Sequence, residues 1–475
     1  MTVNKKQGTK RALLMASLKA LHFCASVGAF FAVWLCFFSK IGTPDYSMNI
    51  DILVMLLYSL MMIFLFHSYD VYNIGYARVM DNIFGQVLSD VISAAAVYVA
   101  GSILNGKFLN PLLLIALCAV QAIWNLVFSK GAKEIYYKIY KQRRAVVVYR
   151  NNDDLDRIAE IRHLEKKFKI EKLIENPRND YKELERELDG YEAILVAGVN
   201  ASLRNGIAKY CIENNVRGYF APHVGDIIMK GSKHILSFHV PIFSVRRAFK
   251  SPYYLITKRV FDFVASLLAL IILSPIYLAV SLAVKMGDGD PVLYKQKRLT
   301  KDGKEFNVLK FRSMRVDAEN DGVARLASEK DDRITPVGKF IRMCRLDELP
   351  QLINILRGDM SIVGPRPERP EIAEQYEKEM PAFSLRLQVK AGLTGFAQVY
   401  GKYNSTPYDK LQMDLMYINK MGITEDLRLM FATLRILFLP ESTEGVDPGQ
   451  VTALDYESEA NRTEKWEKRD EHWAD

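Results

Sequence analysis

Two adjacent carboxylates, Asp347 and Glu348, stand in the run Arg342-Met343-Cys344-Arg345-Leu346-Asp347-Glu348-Leu349-Pro350. An opposite charge within ~4–6 Å lowers a carboxyl pKa, so an aspartate among arginines is expected to be ionised. An ionised aspartate can ligate magnesium or attack phosphorus. A neighbouring glutamate can orient it or share the metal. Read alone, the pair fits equally the common placing of acids at a helix N-terminus.

Other clusters add cations. Lys310-Phe311-Arg312-Ser313-Met314 places two cations two residues apart on an expected strand, so both face one side. Ser361-Ile362-Val363-Gly364-Pro365-Arg366-Pro367 sets one arginine between two prolines, which stiffen the segment. A rigid guanidinium suits a bidentate phosphate contact. Gly392-Leu393-Thr394-Gly395-Phe396-Ala397-Gln398-Val399 reads as a glycine-punctuated turn entering a strand. Asp414 and Asp426 are lone acids near expected surface helices, a setting in which acids are usually solvated.

The elements around these residues suit a membrane-attached protein. Apolar residues pool in the first 130 positions and again near 260–284. Runs at about 12–38, 51–68, 84–104 and 109–129 approach or reach the ~20 residues that span a bilayer as a helix. The first lacks a clear small-residue cleavage site and is followed by more spans, unlike a signal peptide. Lys5, Lys6, Lys10 and Arg11 precede the first run, and six cations between Lys130 and Arg144 follow the fourth. The positive-inside rule then puts the N-terminus and everything after residue 130 in the cytoplasm.

The net charge is +9; residues 441–475 hold eleven acids and four bases, leaving +16 for residues 1–440. Such a balance suits anionic headgroups or phosphorylated substrates, and no nucleic-acid module accompanies it. Five cysteines without a C-x-x-C pair indicate neither a disulfide framework nor a zinc site.

Residues 145–245 read as a Rossmann-like α/β domain. Strands are expected at Ala145–Tyr149, Ile170–Ile174, Ala193–Ala197 and Arg217–Phe220, with helices at 153–168 and 202–215. The first turn, Arg150-Asn151-Asn152-Asp153, lacks G-x-G-x-x-G, so a structural or regulatory module is expected rather than a nucleotide site. Val260–Val284 is long enough to cross, yet cations flank both ends and Ser274-Pro275 interrupts it. A helix that enters, bends at the proline and returns to the same face resolves that conflict. Leu346, Leu349, Ile353 and Leu356 repeat as in an amphipathic helix, and Leu411–Ile418 and Leu427–Leu439 suit helices at the membrane surface. The charged 316–335 stretch reads as a mobile loop. The expected organisation is 1–130 spans, 131–250 α/β, 251–440 re-entrant helix with an α+β catalytic domain, and an acidic tail at 441–475.

With those residues in view, Lys258–Phe438 closely resembles the catalytic domain of bacterial polyprenyl-phosphate sugar-1-phosphate transferases, the monotopic phosphoglycosyl transferase superfamily. The resemblance rests on KRVFDF, the SP helix break, KFRSM, LDELPQLINILRGDMSIVGPRP and AGLTGFAQVYGK, in that order. The spans and α/β domain resemble, by organisation, long members that initiate exopolysaccharide or capsule repeat units.

The resemblance implies attack by Asp347 on the β-phosphorus of a UDP-sugar, with release of UMP. A polyprenyl phosphate, undecaprenyl in most bacteria, would take the sugar phosphate from Asp347. Glu348 would assist, and Mg²⁺ would bridge Asp347 and the diphosphate. Arg312, Arg342 and Arg366 match phosphate-contact positions, with Lys310 the weaker candidate. Asp414 and Asp426 match acidic positions. Ser274 and Pro275 match the re-entrant break; Lys258, Arg259 and Asp262 match its basic entry and following acid. Glucose or galactose leads as the sugar, with N-acetylated sugars as the alternative, and a homodimer is expected by analogy. The chain departs from many relatives at Lys390-Ala391-Gly392, where they carry Arg-Pro-Gly, and at Tyr400-Gly401-Lys402, where they carry Asn-Gly-Arg. Lysine keeps the charge and loses the bidentate fork. Two other readings are an inactive homologue that regulates polysaccharide export and a membrane-bound nucleotide sensor; the intact Asp347-Glu348 pair opposes the first, the missing glycine fingerprint the second.

Overall fold

The computed structural model describes residues 2–38, 47–75, 77, 79–159, 164–175, 177, 181–237, 240–247, 250–289, 291–315, 333–401 and 406–436. The acidic tail and nearly all of the expected 316–335 loop lie outside these residues. The chain forms two compact units, Met1–Ala221 and Pro222–Asp475.

The first unit begins with α1 (Thr2–Phe37), α2 (Ser47–Ser68), α3 (Val79–Asn105) and α4 (Pro111–Ile139). Within them Lys10–Phe37, Asn49–Ser68, Val79–Leu104 and Pro111–Ile139 are long and apolar enough to cross a membrane. Leu56, Ile103, Leu112 and Ile123 are exposed on these helices, while Asp90, Gln121 and Asn125 are buried. This inverts the pattern of a water-soluble bundle. In lipid, polar groups must pair among themselves inside the bundle. Asn125 does so, linking Asp90 at 2.7 Å to His22 at 3.0 Å.

A parallel α/β layer follows: β1 (Arg143–Tyr149), α5 (Asn152–Ala159), α6 (Leu164–Lys167), β2 (Phe168–Glu175), α7 (Tyr181–Leu188), β3 (Ala193–Val196), α8 (Ala201–Glu213) and β4 (Arg217–Phe220). The sheet order is β2-β1-β3-β4, all parallel. The fully buried runs Val146–Val148 and Ala193–Val196 are what a sheet covered on both faces requires. After β3 the chain turns through Gly198 at φ +70°, and a Cβ there would lie 1.7 Å from the Asp154 carboxylate. An acid thus fills the loop crest where a parallel sheet would receive a phosphate.

The second unit comprises α9 (Val224–Lys230), a hairpin of β5 (Lys233–Ser237) and β6 (Val240–Ser244), α10 (Pro252–Ile272), α11 (Ser274–Asp288), a hairpin of β7 (Leu293–Leu299) and β8 (Glu305–Phe311), α12 (Pro336–Met343), α13 (Gln351–Arg357), β9 (Ser361–Val363), α14 (Pro370–Glu379), β10 (Gly392–Thr394), α15 (Phe396–Tyr400), α16 (Pro407–Lys420) and α17 (Ile423–Ile436). The division at Ala221/Pro222 falls before residue 250, because α9 packs here: Ile227 joins the core with Leu411, Leu415 and Leu429. Asn419 on α16 also donates to the Ile227 carbonyl at 2.7 Å.

The axes of α10 and α11 meet at 63°. Pro275 has no N–H to give the carbonyl of Ile271, four residues back. The hydroxyl of Ser274 donates to that carbonyl instead, at 2.8 Å. The pair therefore bends the helix while leaving that oxygen satisfied.

Two expected elements differ. The repeat Leu346–Leu356 is split into a 3₁₀ turn, Leu346–Glu348, and α13, with Pro350 at the junction. The segment after Gly395 is α15, not a strand. Parallel pairing of β9 with β10 sets Ser361 against Gly392 and Val363 against Thr394. A Cβ on Gly392 or Gly395 would come within 2.1 or 2.2 Å of the Gly364 backbone. Those glycines let two chains touch, and no room remains there for further pairing.

Candidate active site

The site is built around a sharp reversal. α12 ends at Cys344, and Arg345 takes φ 52°, ψ 24° before the turn carrying Asp347 and Glu348. Left-handed backbone costs a non-glycine residue ~1–2 kcal/mol. The turn is fastened from below: Tyr277 on α11 donates its hydroxyl to the Leu349 carbonyl. Leu346 and Leu349 also pack on the cluster of Val280, Val284, Phe311 and Ile341.

Glu348 is enclosed by cations. Its Oε1 lies 2.9 Å from Arg366 Nη2 and 3.4 Å from Lys310 Nζ, and its Oε2 lies 4.0 Å from Arg345 Nη1. Asp347, half-buried, receives no hydrogen bond or ion pair among the described residues. The two carboxyls therefore diverge. Burial pushes both up; at Glu348 the charges of Arg366, Lys310 and Arg345 prevail and hold the carboxyl well below the usual range. At Asp347 burial and the charge of Glu348 outweigh Lys310, Arg342 and Arg366, and the carboxyl is raised. The sequence suggested that arginines would keep the aspartate ionised; the ion pairs fall on its neighbour. Burial likewise draws the Lys310 ammonium down, opposed by both carboxylates.

The other expected residues divide. Arg342 stands near enough to Asp347 to act on its charge. Arg312 follows the end of β8, is buried and donates to the Gly289 carbonyl at 2.7 Å. It and Lys310 thus engage different partners. Asp414 is buried on α16 against Arg386, 2.7 Å away. Burial raises its carboxyl to about 6, with Arg386 opposing. Asp426 accepts from Lys258 at 2.9 Å and from the hydroxyls of Tyr254 and Tyr417, both at 2.8 Å. These acids knit the domain rather than join the Asp347 turn. Ser274 and Pro275 make the bend, and Asp262 holds Ser361 at the start of β9 at 2.7 Å.

Arg386 and Arg298 escaped the sequence reading. Arg386 donates to the Arg366 carbonyl at 2.7 Å and pairs with Glu368 at 3.8 Å as well as with Asp414. Arg298 donates to the Pro367 carbonyl at 3.1 Å and lies 3.6 Å from Glu368. Together they clamp the chain on either side of Arg366 and Pro367. The one available signal was Arg386, a lone charge in the run Phe383-Ser384-Leu385-Arg386-Leu387. Lys390, at the departure from the common pattern, donates to the Gly358 carbonyl at 2.6 Å. Arg259 donates to the carbonyls of Ile355 and Leu356 at 2.6 and 2.7 Å. Both cations therefore serve the C-terminus of α13, where orphan carbonyls gather.

Among the described residues no three His, Cys, Asp or Glu side chains gather as a metal site. Mg²⁺, however, typically takes one or two carboxylates and completes its shell with water and substrate phosphate. A carboxylate with no hydrogen bond among the described residues, beside a second already neutralised by cations, fits that ion.

The bacterial sugar transferase family model matches residues 253–440. Over 190 residues the chain is 38% identical to the UDP-N-acetylgalactosamine-undecaprenyl-phosphate N-acetylgalactosaminephosphotransferase of Aeromonas hydrophila, covering 39% of this chain and 45% of that protein. It is 42% identical over 182 residues to the UDP-glucose:undecaprenyl-phosphate glucose-1-phosphate transferase of Escherichia coli (strain K12), covering 37% of this chain and 39% of that one. The chain thus matches less than half the length of either. The protein of the latter name from Caulobacter vibrioides is 37% identical over 190 residues, 39% of this chain and 71% of its own length. With more than a third of the residues identical across 71% of that protein, and the family model matching the region that holds the Asp347 turn, the chain belongs to the bacterial sugar transferase family.

Proposed function

We propose that this membrane protein transfers a sugar 1-phosphate, a hexose by our reading, from a UDP-sugar to polyprenyl (undecaprenyl) phosphate. The products are UMP and a polyprenyl diphosphate sugar, the first lipid-linked unit of an exopolysaccharide or capsule. The observation that carries this reading is the opposed state of two neighbouring carboxyls, Glu348 neutralised by three cations and Asp347 without a hydrogen bond among the described residues.

A carboxylate spared from ion pairs is available to phosphorus. Asp347 Oδ forms a bond to the β-phosphorus of the UDP-sugar as the bond to the UMP oxygen breaks, and UMP leaves with the electron pair. The lipid phosphate oxygen then attacks the same phosphorus and releases Asp347. Splitting the transfer lets a water-soluble and a lipid substrate use the site in turn. Arg366, Lys310 and Arg342 supply fixed positive charge, which phosphoryl transfer chiefly needs. Mg²⁺ held by Asp347 and diphosphate oxygens would offset the burial that raises this carboxyl and neutralise phosphate charge.

The 63° bend between α10 and α11, with Lys258 and Arg259 before it and Lys285 after it, supports a helix pair that re-enters the cytoplasmic face of the inner membrane. Purified protein, Mg²⁺, polyprenyl phosphate and a panel of UDP-sugars test the activity by UMP release. Activity with one sugar, abolished in Asp347→Asn, is expected. Full activity of that variant would falsify the covalent route.

A further inference from the structure

The membrane unit contains a cleft of about 640 Å³ between α1 and α2 that the proposed catalysis does not use. Lys19 and Phe23 line it from α1, one helical turn apart; Ile63 and His67 line it from α2, also one turn apart. Residues four apart share a helix face. The helices run in opposite directions. His67 stands in the last turn of α2, so Lys19 lies at that same end of the bundle and Phe23 and Ile63 lie a turn deeper. The cleft is therefore layered, with cationic and polar groups at its mouth and an apolar floor.

The polar rim is completed by Asp70, Tyr72 and Asn73 in the turn after α2. Asp70 is the one acid in the lining, and its backbone N–H donates to the His67 carbonyl at 3.3 Å. The Lys19 ammonium lies 5.9 Å from the centre of the Tyr72 ring. Tyr72 is braced by the His22 ring nitrogen, 3.3 Å from its hydroxyl, and by the Phe66 ring edge at 5.5 Å. The apolar floor is formed by Ala20, Phe23, Ile63 and Phe66, with the two aromatic rings 6.3 Å apart. Lys19 also falls within Lys10–Phe37, a stretch apolar enough to span, where a charged side chain is a marker of function.

We infer that this cleft binds a lipid with one hydrocarbon chain and a phosphate headgroup: the phosphate at Lys19 and His67, the chain along Phe23, Phe66 and Ile63. Taking that lipid to be polyprenyl phosphate rests on the function proposed above.

Photo-crosslinkable polyprenyl phosphate, added to the full-length protein in detergent, reports occupancy by peptide mapping. Labelling is expected at residues 19–23 and 63–73, and to fall about tenfold in Lys19→Glu, the loss expected for a charge-assisted phosphate contact. Lys19→Arg is expected to restore it, and Lys19→Gln serves if the glutamate variant does not fold. Asp347→Asn, inactive by the function proposed above, is expected to label here like the unaltered protein, so failure of one reading is visible apart from failure of the other. Unlabelled polyprenol, lacking the phosphate, is expected to compete poorly. Equal labelling of Lys19→Glu, or equal competition by phosphatidylglycerol, overturns the inference.

Discussion

Arg366 Nη2 stands 2.9 Å from Oε1 of Glu348. The backbone that presents this guanidinium is held in place, its own carbonyl by Arg386 at 2.7 Å and the next residue's by Arg298 at 3.1 Å. Glu348 is thus a fixed counter-ion, and its neighbour Asp347 is left to other chemistry.

That relationship sets a pH prediction. Asp347 is raised by burial and then by the charge of Glu348. Glu348→Gln removes the like charge and releases Lys310 and Arg366, and each change lowers Asp347. If the ionised aspartate attacks phosphorus, the acid limb of the pH–rate profile should move to lower pH. The maximal rate should fall by about a hundredfold, as charge placement is lost. UMP release measured across pH decides this; an unmoved or upward-shifted limb contradicts the coupling.

Asp414 carries the second prediction. Its folded carboxyl is raised from 3.8 to about 6, so the fold binds a proton more readily than the unfolded chain. That group costs stability as pH rises from about 4 to 6, and the cost is constant above. Asp414→Asn should abolish this dependence. It should also leave the protein no less stable at pH 7, because a neutral amide avoids the burial cost that raises the Asp414 carboxyl, and Arg386 keeps Glu368 at 3.8 Å and the Arg366 carbonyl at 2.7 Å. Thermal unfolding in detergent at pH 4, 6 and 7 reads both effects.

Arg259 is expected to be structural. It supplies donors to two carbonyls at the end of α13, so Arg259→Ala should lower stability by ~2 kcal/mol. Lys390→Ala should cost less, ~1 kcal/mol, because its bond to Gly358 is exposed to water. A Lys390→Ala variant with lost activity and unchanged melting would instead place the ammonium at the substrate.

The bend predicts topology. Ile256 before it and Met286 after it are both exposed. Cysteines at these positions, in a cysteine-free background, should react with an impermeant thiol reagent only from the cytoplasmic side. Reaction from opposite sides would show that α10 and α11 form one kinked span.

Much of the fold was legible because its signals are local. A span needs only length and apolarity, and the parallel strands announced themselves as short buried runs such as Ala193–Val196. Pro275 marks a lost hydrogen bond wherever it stands, and Ser274 beside it is the nearest replacement donor. The hydrophobic repeat from Leu346 to Leu356 misled, because periodicity does not register a proline junction or a left-handed Arg345. Asp414 and Asp426 looked like site acids for a related reason: sequence shows that an acid is present, not which cation reaches it.

The sequence by itself determined that the chain is membrane-attached, that a break interrupts its fifth apolar run, and that Asp347 and Glu348 stand together among cations. Those properties follow from composition and neighbours along the chain. Only the tertiary structure decided which carboxyl is neutralised. Lys310 and Arg366 lie 38 and 18 residues from Glu348 in sequence, and they meet it because β8 and the strap after β9 pass beside one turn. Electrostatic energy depends on distance in space, so two adjacent acids with the same neighbours in sequence acquire opposite shifts.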